Sequence, residues 1–208
     1  ESASCEAVTC FGILKLDSQV REANAPSLLL RFEEHAGANL FGDVSGLLNN
    51  ATCTGASCPA AGYAGKYTNG LMFDGVNDQI VGRGSVSLAN ASFTVAAWVA
   101  RANTLTTDQF IFSNGTGQNN QGLHIGFRNN QFMCAFWYND LMTPAQYADT
   151  NWHHWACTYN ATNRQRAIYR DGILVAQDTA AANYQGSGDW HIGAVFNGSS
   201  FFGGMLDE

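Results

Sequence analysis

The sequence predicts an all-β fold, a two-sheet antiparallel β-sandwich. Short runs in which apolar and polar residues alternate follow one another along most of the 208 residues, and clusters of Gly, Asn, Asp and Ser separate them. No stretch shows sustained helical periodicity, and the prolines fall outside the runs. A sandwich of this length usually forms one domain.

The predicted strands begin at residues 28–32 and end at residues 203–206. At 132–137, Cys134 shares a face with the two flanking phenylalanines, and at 154–159, Cys157 shares a face with Trp155 and Tyr159. Alternation with a period of two places both of these faces toward a core. Between two further runs, Asp171 and Gly172 form the central pair of a tight hairpin turn.

The six cysteines form three candidate disulfides. Two pairs have short spacings in polar, turn-like contexts, and the remaining two lie on the predicted core faces, so the candidates are Cys5–Cys10, Cys53–Cys58 and Cys134–Cys157. For the last pair we expect the two strands to run antiparallel side by side, with the sulfurs opposite each other. The alternative is two buried free thiols. Disulfides indicate an oxidising compartment, so we expect an extracellular or cell-surface location.

Charge and hydropathy exclude two classes of partner. Charged residues make up only 13% of the chain, the net charge is −7, and the two lysines and eight arginines are scattered. Without a basic stripe we expect no nucleic-acid binding. No apolar run approaches the roughly 18 residues of a membrane helix, so we expect no membrane insertion.

Four motifs in order resemble the laminin-G-like, pentraxin-related jelly-roll domains of the concanavalin-A-like fold. The first is LLRFEE at 29–34 with DVSG at 43–46 and NNA at 49–51, and the second is GLMFDGVND at 70–78. The third comprises FTVAAWV at 93–99, WHHWACTY at 152–159 and YRDGILV at 169–175, and the fourth is FGGMLDE at 202–208. The resemblance implies a jelly-roll domain over residues 27–208 that stops within its last strand.

Residues 1–26 precede this domain. They contain one strand-like stretch at 10–16 and then a polar segment that ends at Pro26. Two interpretations stay open: a linker from a preceding domain, or an extra edge strand.

We expect no catalytic residues. The hydrolases of this fold carry paired carboxylates on a central strand, but this chain has no glutamate between His35 and Asp207. Asp74 and Asp78 lie in a turn rich in Gly and Asn, where capping is expected. His153 and His154 are adjacent on a strand and therefore point to opposite faces. The chain is predicted not to be an enzyme.

The resemblance implies one cofactor, a structural calcium ion. The matching positions are Glu34, Asp43, Asn49 and Asp207, which would join the beginning of the domain to its end. In the alternative interpretation Asp43 caps a turn and Asp207 faces solvent.

The ligand-binding candidates are Trp137, Tyr138 and Asp140, an aromatic pair beside a carboxylate. Packing of these aromatic rings against the sheet is the alternative. The predicted function is a noncatalytic extracellular recognition or adhesion module within a larger protein, with a glycan, an extracellular protein or copies of itself as partner. Two other functions stay open: a structural repeat or filament subunit that assembles through its N-terminal strand, and an accessory domain of a glycoside hydrolase.

Overall fold

A computed structural model describes residues 25–84, 86–102 and 107–208. Within these ranges the chain forms fifteen β-strands and one 3-10 turn, η1 (Gly55–Ser57). The strands are β1 (Leu40–Phe41), β2 (Ala51–Thr52), β3 (Ala60–Ala64), β4 (Asn69–Asp74), β5 (Ile80–Gly82), β6 (Phe93–Arg101), β7 (Gln109–Gly115), β8 (Gly122–Arg128), β9 (Gln131–Ala135), β10 (Asp140–Met142), β11 (His153–Tyr159), β12 (Gln165–Arg170), β13 (Ile173–Thr179), β14 (Trp190–Ile192) and β15 (Gly203–Asp207). In the described part of the chain, no helix is long and apolar enough to cross a membrane.

The strands form two antiparallel sheets packed face to face. The eight-stranded sheet has the order β1-β2-β5-β14-β7-β8-β9-β10, and the seven-stranded sheet has the order β13-β12-β11-β6-β15-β4-β3. This arrangement confirms the predicted all-β sandwich of the concanavalin-A-like kind.

The core lies between the sheets and is rich in aromatic rings. Trp155 of β11 stacks on Phe132 of β9 with ring centroids 4.1 Å apart, and Trp190 of β14 stacks on Phe112 of β7. Offset and edge-on ring pairs of this kind contribute about 0.5–1.5 kcal/mol beyond their burial. The side chains that alternation assigned to the core are therefore the ones that join the two sheets.

The eight-stranded sheet is also covered on its outer face. Almost every residue of β7 and β8 is buried, because residues 193–202 cross over this face. The Ser113 hydroxyl donates to the Ala194 carbonyl at 2.8 Å, and Val195 packs with Phe110 and Met133 in a second small apolar cluster. The outer face of β8 carries Gly122, His124 and Gly126, and burial there is compatible with small residues and with a histidine that bonds to the Gly122 carbonyl.

The sequence misjudged several short elements. Residues 28–32 were expected to form a strand, but they make one isolated bridge, from Leu30 to Asp43, and Phe32 has a positive φ of 56° that interrupts extended backbone. The sequence did not predict β1, β2, β3 or β10, which have two to five residues each and are too short to show a clear period.

Two disulfides lie within the described ranges. Cys53–Cys58 closes the η1 turn, as predicted from its spacing. The Cys5–Cys10 prediction lies outside the described residues.

The Cys134–Cys157 disulfide forms, but its expected location is wrong. Cys134 pairs with Ile125 and Leu141 in the eight-stranded sheet, whereas Cys157 pairs with Val95 and Ile168 in the seven-stranded sheet. The two strands are not neighbours, because the chain first returns beside β9 as β10 and then crosses to the other sheet. The bond therefore crosses the core, with the Cα atoms 6.1 Å apart.

Candidate ligand site

The predicted ligand residues lie at a two-residue hairpin turn between β9 and β10. Ala135 and Asp140 are the last ladder partners, and the Phe136 N–H donates to the Asn139 carbonyl at 2.9 Å. The two central residues, Trp137 and Tyr138, both have positive φ, 57° and 59°. Two consecutive positive φ values are the mark of a type I′ turn.

Two other hairpins of the fold share this shape but have different sequences. Asn129 and Asn130 turn the chain between β8 and β9, and Asp171 and Gly172 turn it between β12 and β13, all at positive φ. Asn, Asp and Gly tolerate this backbone, whereas bulky side chains are rare there and cost about 1–2 kcal/mol each. The Trp-Tyr turn therefore stores strain that the Asn-Asn and Asp-Gly turns avoid.

Asn139 holds the strained turn in place. Its side-chain amide donates to Asn120 Oδ1 at 2.8 Å and to the Ala182 carbonyl at 3.3 Å, and its Oδ1 accepts from the Ala181 N–H at 3.2 Å. The turn is thereby tied to two loops, around residues 120 and 181.

Arg166 ties the same turn to the opposite sheet. It projects from β12 into the core with its side chain fully buried, and its guanidinium donates to the Asn139 carbonyl at 2.7 Å. The other edge of the guanidinium binds Asp178 at 2.6 Å, and its plane lies 4.6 Å from the ring of Phe136. Removing a partner would leave the buried guanidinium charge uncompensated, which is energetically costly, so these contacts hold the turn in one conformation.

The two aromatic residues of the turn differ in accessibility. The Trp137 ring is partly buried on the outer face of the eight-stranded sheet, 5.6 Å from the ring of His124 and 5.4 Å from that of Phe196. A Cβ at Gly117 would lie 3.3 Å from the same ring, so the indole is closely packed. Tyr138 is 85% exposed. Trp137 therefore supports the turn, and Tyr138 is the ring that a ligand can reach.

A charged group lies beside the turn. Arg128 donates three hydrogen bonds to Asp108, the shortest at 2.7 Å, and approaches Asp140 at 3.7 Å. The Asp108 hydrogen bond raises the pKa of Arg128, and burial lowers the pKa of the adjacent His124, which favours its neutral form. Two carboxylates against one guanidinium leave this surface with one net negative charge.

Of the predicted calcium ligands, Asp43 is fully engaged in its own loop. Its carboxylate accepts from the N–H groups of Leu29, Ser45 and Asn49 and from the Ser45 hydroxyl, at 2.8–3.0 Å. Burial acts to raise the pKa of Asp43, but these donors outweigh it and hold the pKa below its usual value. Asn49 donates its side-chain amide to the Ser27 carbonyl at 2.7 Å. Both residues thus organise the loop around residues 43–49.

Glu34 and Asp207 each have one oxygen without a partner. Glu34 accepts from the Gly42 N–H with one oxygen, and the other is buried and unpaired. Asp207 is fully buried, so the alternative in which it faces solvent is wrong. One of its carboxylate oxygens accepts from the Tyr67 N–H, and the other has no partner. Burial raises the pKa of this carboxyl group. No three His, Cys, Asp or Glu side chains cluster in the described part. The unpaired oxygens fit a cation, Asp43 does not, and calcium stays a prediction.

The histidine pair divides between two environments, as expected from alternation. His153 lies between Asp149 and Asp171, with a 2.7 Å contact from each ring nitrogen. The His154 ring packs 5.4 Å from the ring of Trp98. Both have protein partners, in keeping with structural roles.

The sequence missed an aromatic cluster on the seven-stranded sheet. The ring of Tyr67 lies 6.0 Å from that of Trp98, and the Lys66 ammonium sits 4.5 Å over the same indole. Tyr67 arrives from a loop, so no strand pattern could associate it with Trp98. Because Lys66 covers the indole, we regard this cluster as a poorer platform than Tyr138. Arg166 was also missed. It precedes Ile168 by two residues, so alternation places both side chains on the core face, and an arginine at such a position indicates a buried charge.

Comparisons with solved structures give the same fold. Domain 4 of AbnA, a GH43 extracellular arabinanase from Geobacillus stearothermophilus in complex with arabinotriose, aligns over 80% of this chain and 83% of its own, with a TM-score of 0.63 and 18% identity. Trypanosoma rangeli sialidase in complex with sialic acid aligns over 88% of this chain and 30% of its own, with a TM-score of 0.62 and 18% identity. At such identities the likeness shows the fold alone.

A third similar structure is a Ruminococcus gnavus IT-sialidase CBM40 bound to alpha2,3 sialyllactose, with a TM-score of 0.51, 17% identity, and coverage of 66% of this chain and 85% of its own. A search of curated protein sequences gives no match. A laminin G family, described as the concanavalin A-like lectin/glucanases superfamily, matches residues 74–208, well over half of the chain. The chain therefore belongs to the concanavalin A-like lectin/glucanases superfamily.

Proposed function

We propose that this chain is a noncatalytic, extracellular carbohydrate-binding module whose ligand stacks on Tyr138. The observation that carries the proposal is the 85% exposed tyrosine ring on a strained turn that the core holds in place. Backbone strain persists where the surrounding structure enforces it, and it concentrates at functional sites. An exposed tyrosine that served no ligand would gain nothing from this position.

The chemistry of the surroundings suits a sugar. A rigid aromatic ring offers an apolar face, while Asp140 and the backbone beside it offer hydrogen-bond acceptors for hydroxyl groups. The glycan complexes of the arabinanase domain and of the CBM40 domain support this ligand class, because both are domains of this fold.

The charge near the turn favours a neutral glycan. Arg128 is occupied by two carboxylates, and the group as a whole is negative. An acidic sugar would meet repulsion there and would find no free guanidinium for a bidentate contact. We therefore expect neutral oligosaccharides such as arabinotriose to bind in preference to sialylated ones.

A noncatalytic role is supported by the carboxylates at the site. Glycoside hydrolysis needs a pair of carboxyl groups, one acting as acid. The two near this turn, Asp108 and Asp140, both face Arg128. Both described disulfides fit an oxidising, extracellular setting.

Isothermal titration calorimetry with arabinotriose and with sialyllactose tests the proposal. The key variant is Tyr138→Gly, which removes the ring and relieves the positive φ. We expect at least about tenfold weaker arabinotriose binding, together with a melting temperature that is unchanged or higher.

The matched control is Asn129→Gly, which makes the same backbone change at an exposed position of the neighbouring hairpin and should leave binding unaltered. Wild-type affinity in the Tyr138→Gly protein would place the site elsewhere. Stronger binding of sialyllactose than of arabinotriose would contradict the charge argument.

We also propose that calcium, where it binds, uses the unpaired oxygens of Glu34 and Asp207. A bound cation would supply positive charge to two inaccessible carboxylate oxygens, and backbone carbonyls could complete its oxygen shell. Asp43 and Asn49 would then act by shaping the loop and not by ligation.

A further inference from the structure

Three loops meet at the end of the sandwich that carries Tyr138. They are the Tyr138 turn, the loop between β7 and β8, and the loop between β13 and β14. The Asn120 N–H donates to the Trp137 carbonyl at 3.1 Å, and the Asn120 carbonyl accepts from the Gln185 N–H at 2.8 Å. Asn120 therefore joins the Tyr138 turn to both other loops, and the three form one continuous surface.

The backbone of the β7–β8 loop is held by hydrogen bonds within the loop. The Thr116 N–H donates to the Gln121 carbonyl at 2.8 Å, and the Gln121 N–H donates to the Gln118 carbonyl at 2.9 Å. A Cβ at Gly186 would collide with the Gln121 carbonyl, so the β13–β14 loop packs directly against this one. The side chains of both loops are therefore presented from fixed backbone positions.

Four exposed residues with side-chain amides lie on these two loops. This amide rim consists of Gln118, Asn119, Gln121 and Gln185. Within the described part of the chain, none of the four side chains hydrogen-bonds another residue. Other exposed amides stabilise their own turns: Asn160 accepts from the Thr162 N–H at 2.9 Å, and Asn163 donates to Gln165 at 3.0 Å. The amide rim instead keeps its donors and acceptors for solvent or for a ligand.

The segments that carry the amide rim contain no charged side chain. Residues 109–127 and 179–188 include no Asp, Glu, Lys or Arg. A side-chain amide offers both N–H donors and a carbonyl acceptor, whereas a carboxylate only accepts and an ammonium group only donates. A hydroxyl group also donates and accepts, so amides match it in both roles. This surface therefore favours an uncharged ligand rich in hydroxyl groups.

We propose that the amide rim is the polar half of the glycan site, so that the site takes a neutral oligosaccharide and not a single sugar. The inference rests on the proposed carbohydrate-binding function, in which one sugar unit stacks on Tyr138. The next units pass over Asn120, and the side chains of Gln121 and Gln185 bind their hydroxyl groups. Because hydrogen bonds fix both halves of the site before binding, little energy is spent on ordering the loops.

Titration with arabinose and with arabinotriose tests the rim. Gln121→Ala/Gln185→Ala should bind arabinotriose at least about tenfold more weakly than the wild type does, because two hydrogen-bonding side chains are lost. Arabinose should bind the variant and the wild type equally, because a single unit reaches only Tyr138. The matched control is Gln146→Ala/Asn151→Ala, which removes two exposed amides from the loop beside Asn130, at the other end of β9, and should change neither affinity.

The outcomes separate this inference from the proposed function. If Gln121→Ala/Gln185→Ala keeps wild-type affinity for arabinotriose while Tyr138→Gly loses it, the amide rim is overturned and the Tyr138 site stands. An equal loss of affinity for arabinose and arabinotriose in the rim variant would also overturn the rim, because its side chains would not then act on the later units. A wild type that binds no oligosaccharide would overturn both proposals.

Heteronuclear NMR of the labelled wild-type chain measures the contact without a substitution. The side-chain amide signals of Gln121 and Gln185 should shift when arabinotriose is added but not when arabinose is added. The side-chain signal of Gln146 should stay fixed in both titrations. Rim signals that do not move at saturating arabinotriose would show that the amides make no contact with the ligand, and the proposal would fall.

Discussion

The disulfide between the sheets permits a quantitative test of what joins the two halves of the sandwich. Cys134 and Cys157 are both fully buried and lie on strands of different sheets. The perturbation is the double variant Cys134→Ala/Cys157→Ala, which removes the covalent link and leaves two small apolar side chains in the core. The control is Cys53→Ala/Cys58→Ala, which opens a short local loop.

The magnitude follows from the length of chain that each bond closes. The sequence separations of 23 and 5 give loops of about 24 and six residues. Loop-closure entropy in the unfolded chain then predicts stabilisation by about 3.5 kcal/mol for the inter-sheet bond and about 2.2 kcal/mol for the local bond. With a urea m-value of about 2 kcal/mol/M, the midpoints should fall by about 1.7 M and 1.1 M.

The assay is urea unfolding under oxidising conditions, followed by tryptophan fluorescence, with free thiols counted before each run. The inter-sheet variant should show the larger loss, and empty space left by the two sulfur atoms can only increase it. A midpoint that falls less for the inter-sheet variant than for the local variant would refute the loop-length reasoning.

Three further outcomes are expected. Arg166→Met should lower the free energy of unfolding by roughly 3 kcal/mol in thermal melts, because it leaves Asp178 and the Asn139 carbonyl without their buried partner. The lowered pKa of Asp43 contributes stability that is present above about pH 4 and is lost as the pH falls through the folded-state pKa, so Asp43→Asn should flatten the acid side of a stability–pH curve. Calcium should raise the melting temperature of the wild type and of Asp43→Asn but not that of Asp207→Asn. A wild-type melting temperature that neither calcium nor EDTA changes would contradict the calcium site.

The sequence carried enough information for the fold because alternation acts over many residues. The seven residues at 93–99 alternate clearly, and their inner side chains do line the core. Strands of two or three residues, such as β1 and β10, contain no full period, and only their neighbours hold them in the sheet. Such elements depend on tertiary pairing, which local patterns do not encode.

The cysteine pair shows what a period of two can and cannot specify. Alternation correctly placed Cys134 and Cys157 on core faces, but it says nothing about which sheet a strand joins. Residues 139–151, which separate the two cysteine strands, contain β10 and the crossing between the sheets. The correct partner was therefore predicted with the wrong geometry.

The candidate site was located by composition, but its structure was not predictable locally. Trp137 and Tyr138 carry no turn signal, because neither residue favours a positive φ. Their conformation is imposed by Asn139 and by Arg166, which approaches from a strand 27 residues after Asn139. Sequence patterns named both aromatic residues but could not distinguish the packed ring from the exposed one.

The way in which arginines enter this core explains how a chain with few charges can keep a ligand site rigid. Arg101 and Arg166 are buried and lie over aromatic rings at 4.3 and 4.6 Å, so these planar cations pack as part of the apolar interior. For Arg166 the same packing also delivers two hydrogen-bond donors to the base of the Tyr138 turn. A turn anchored in this way has little conformational freedom left to lose when a sugar binds, so binding energy from one exposed ring is not spent on ordering the loop.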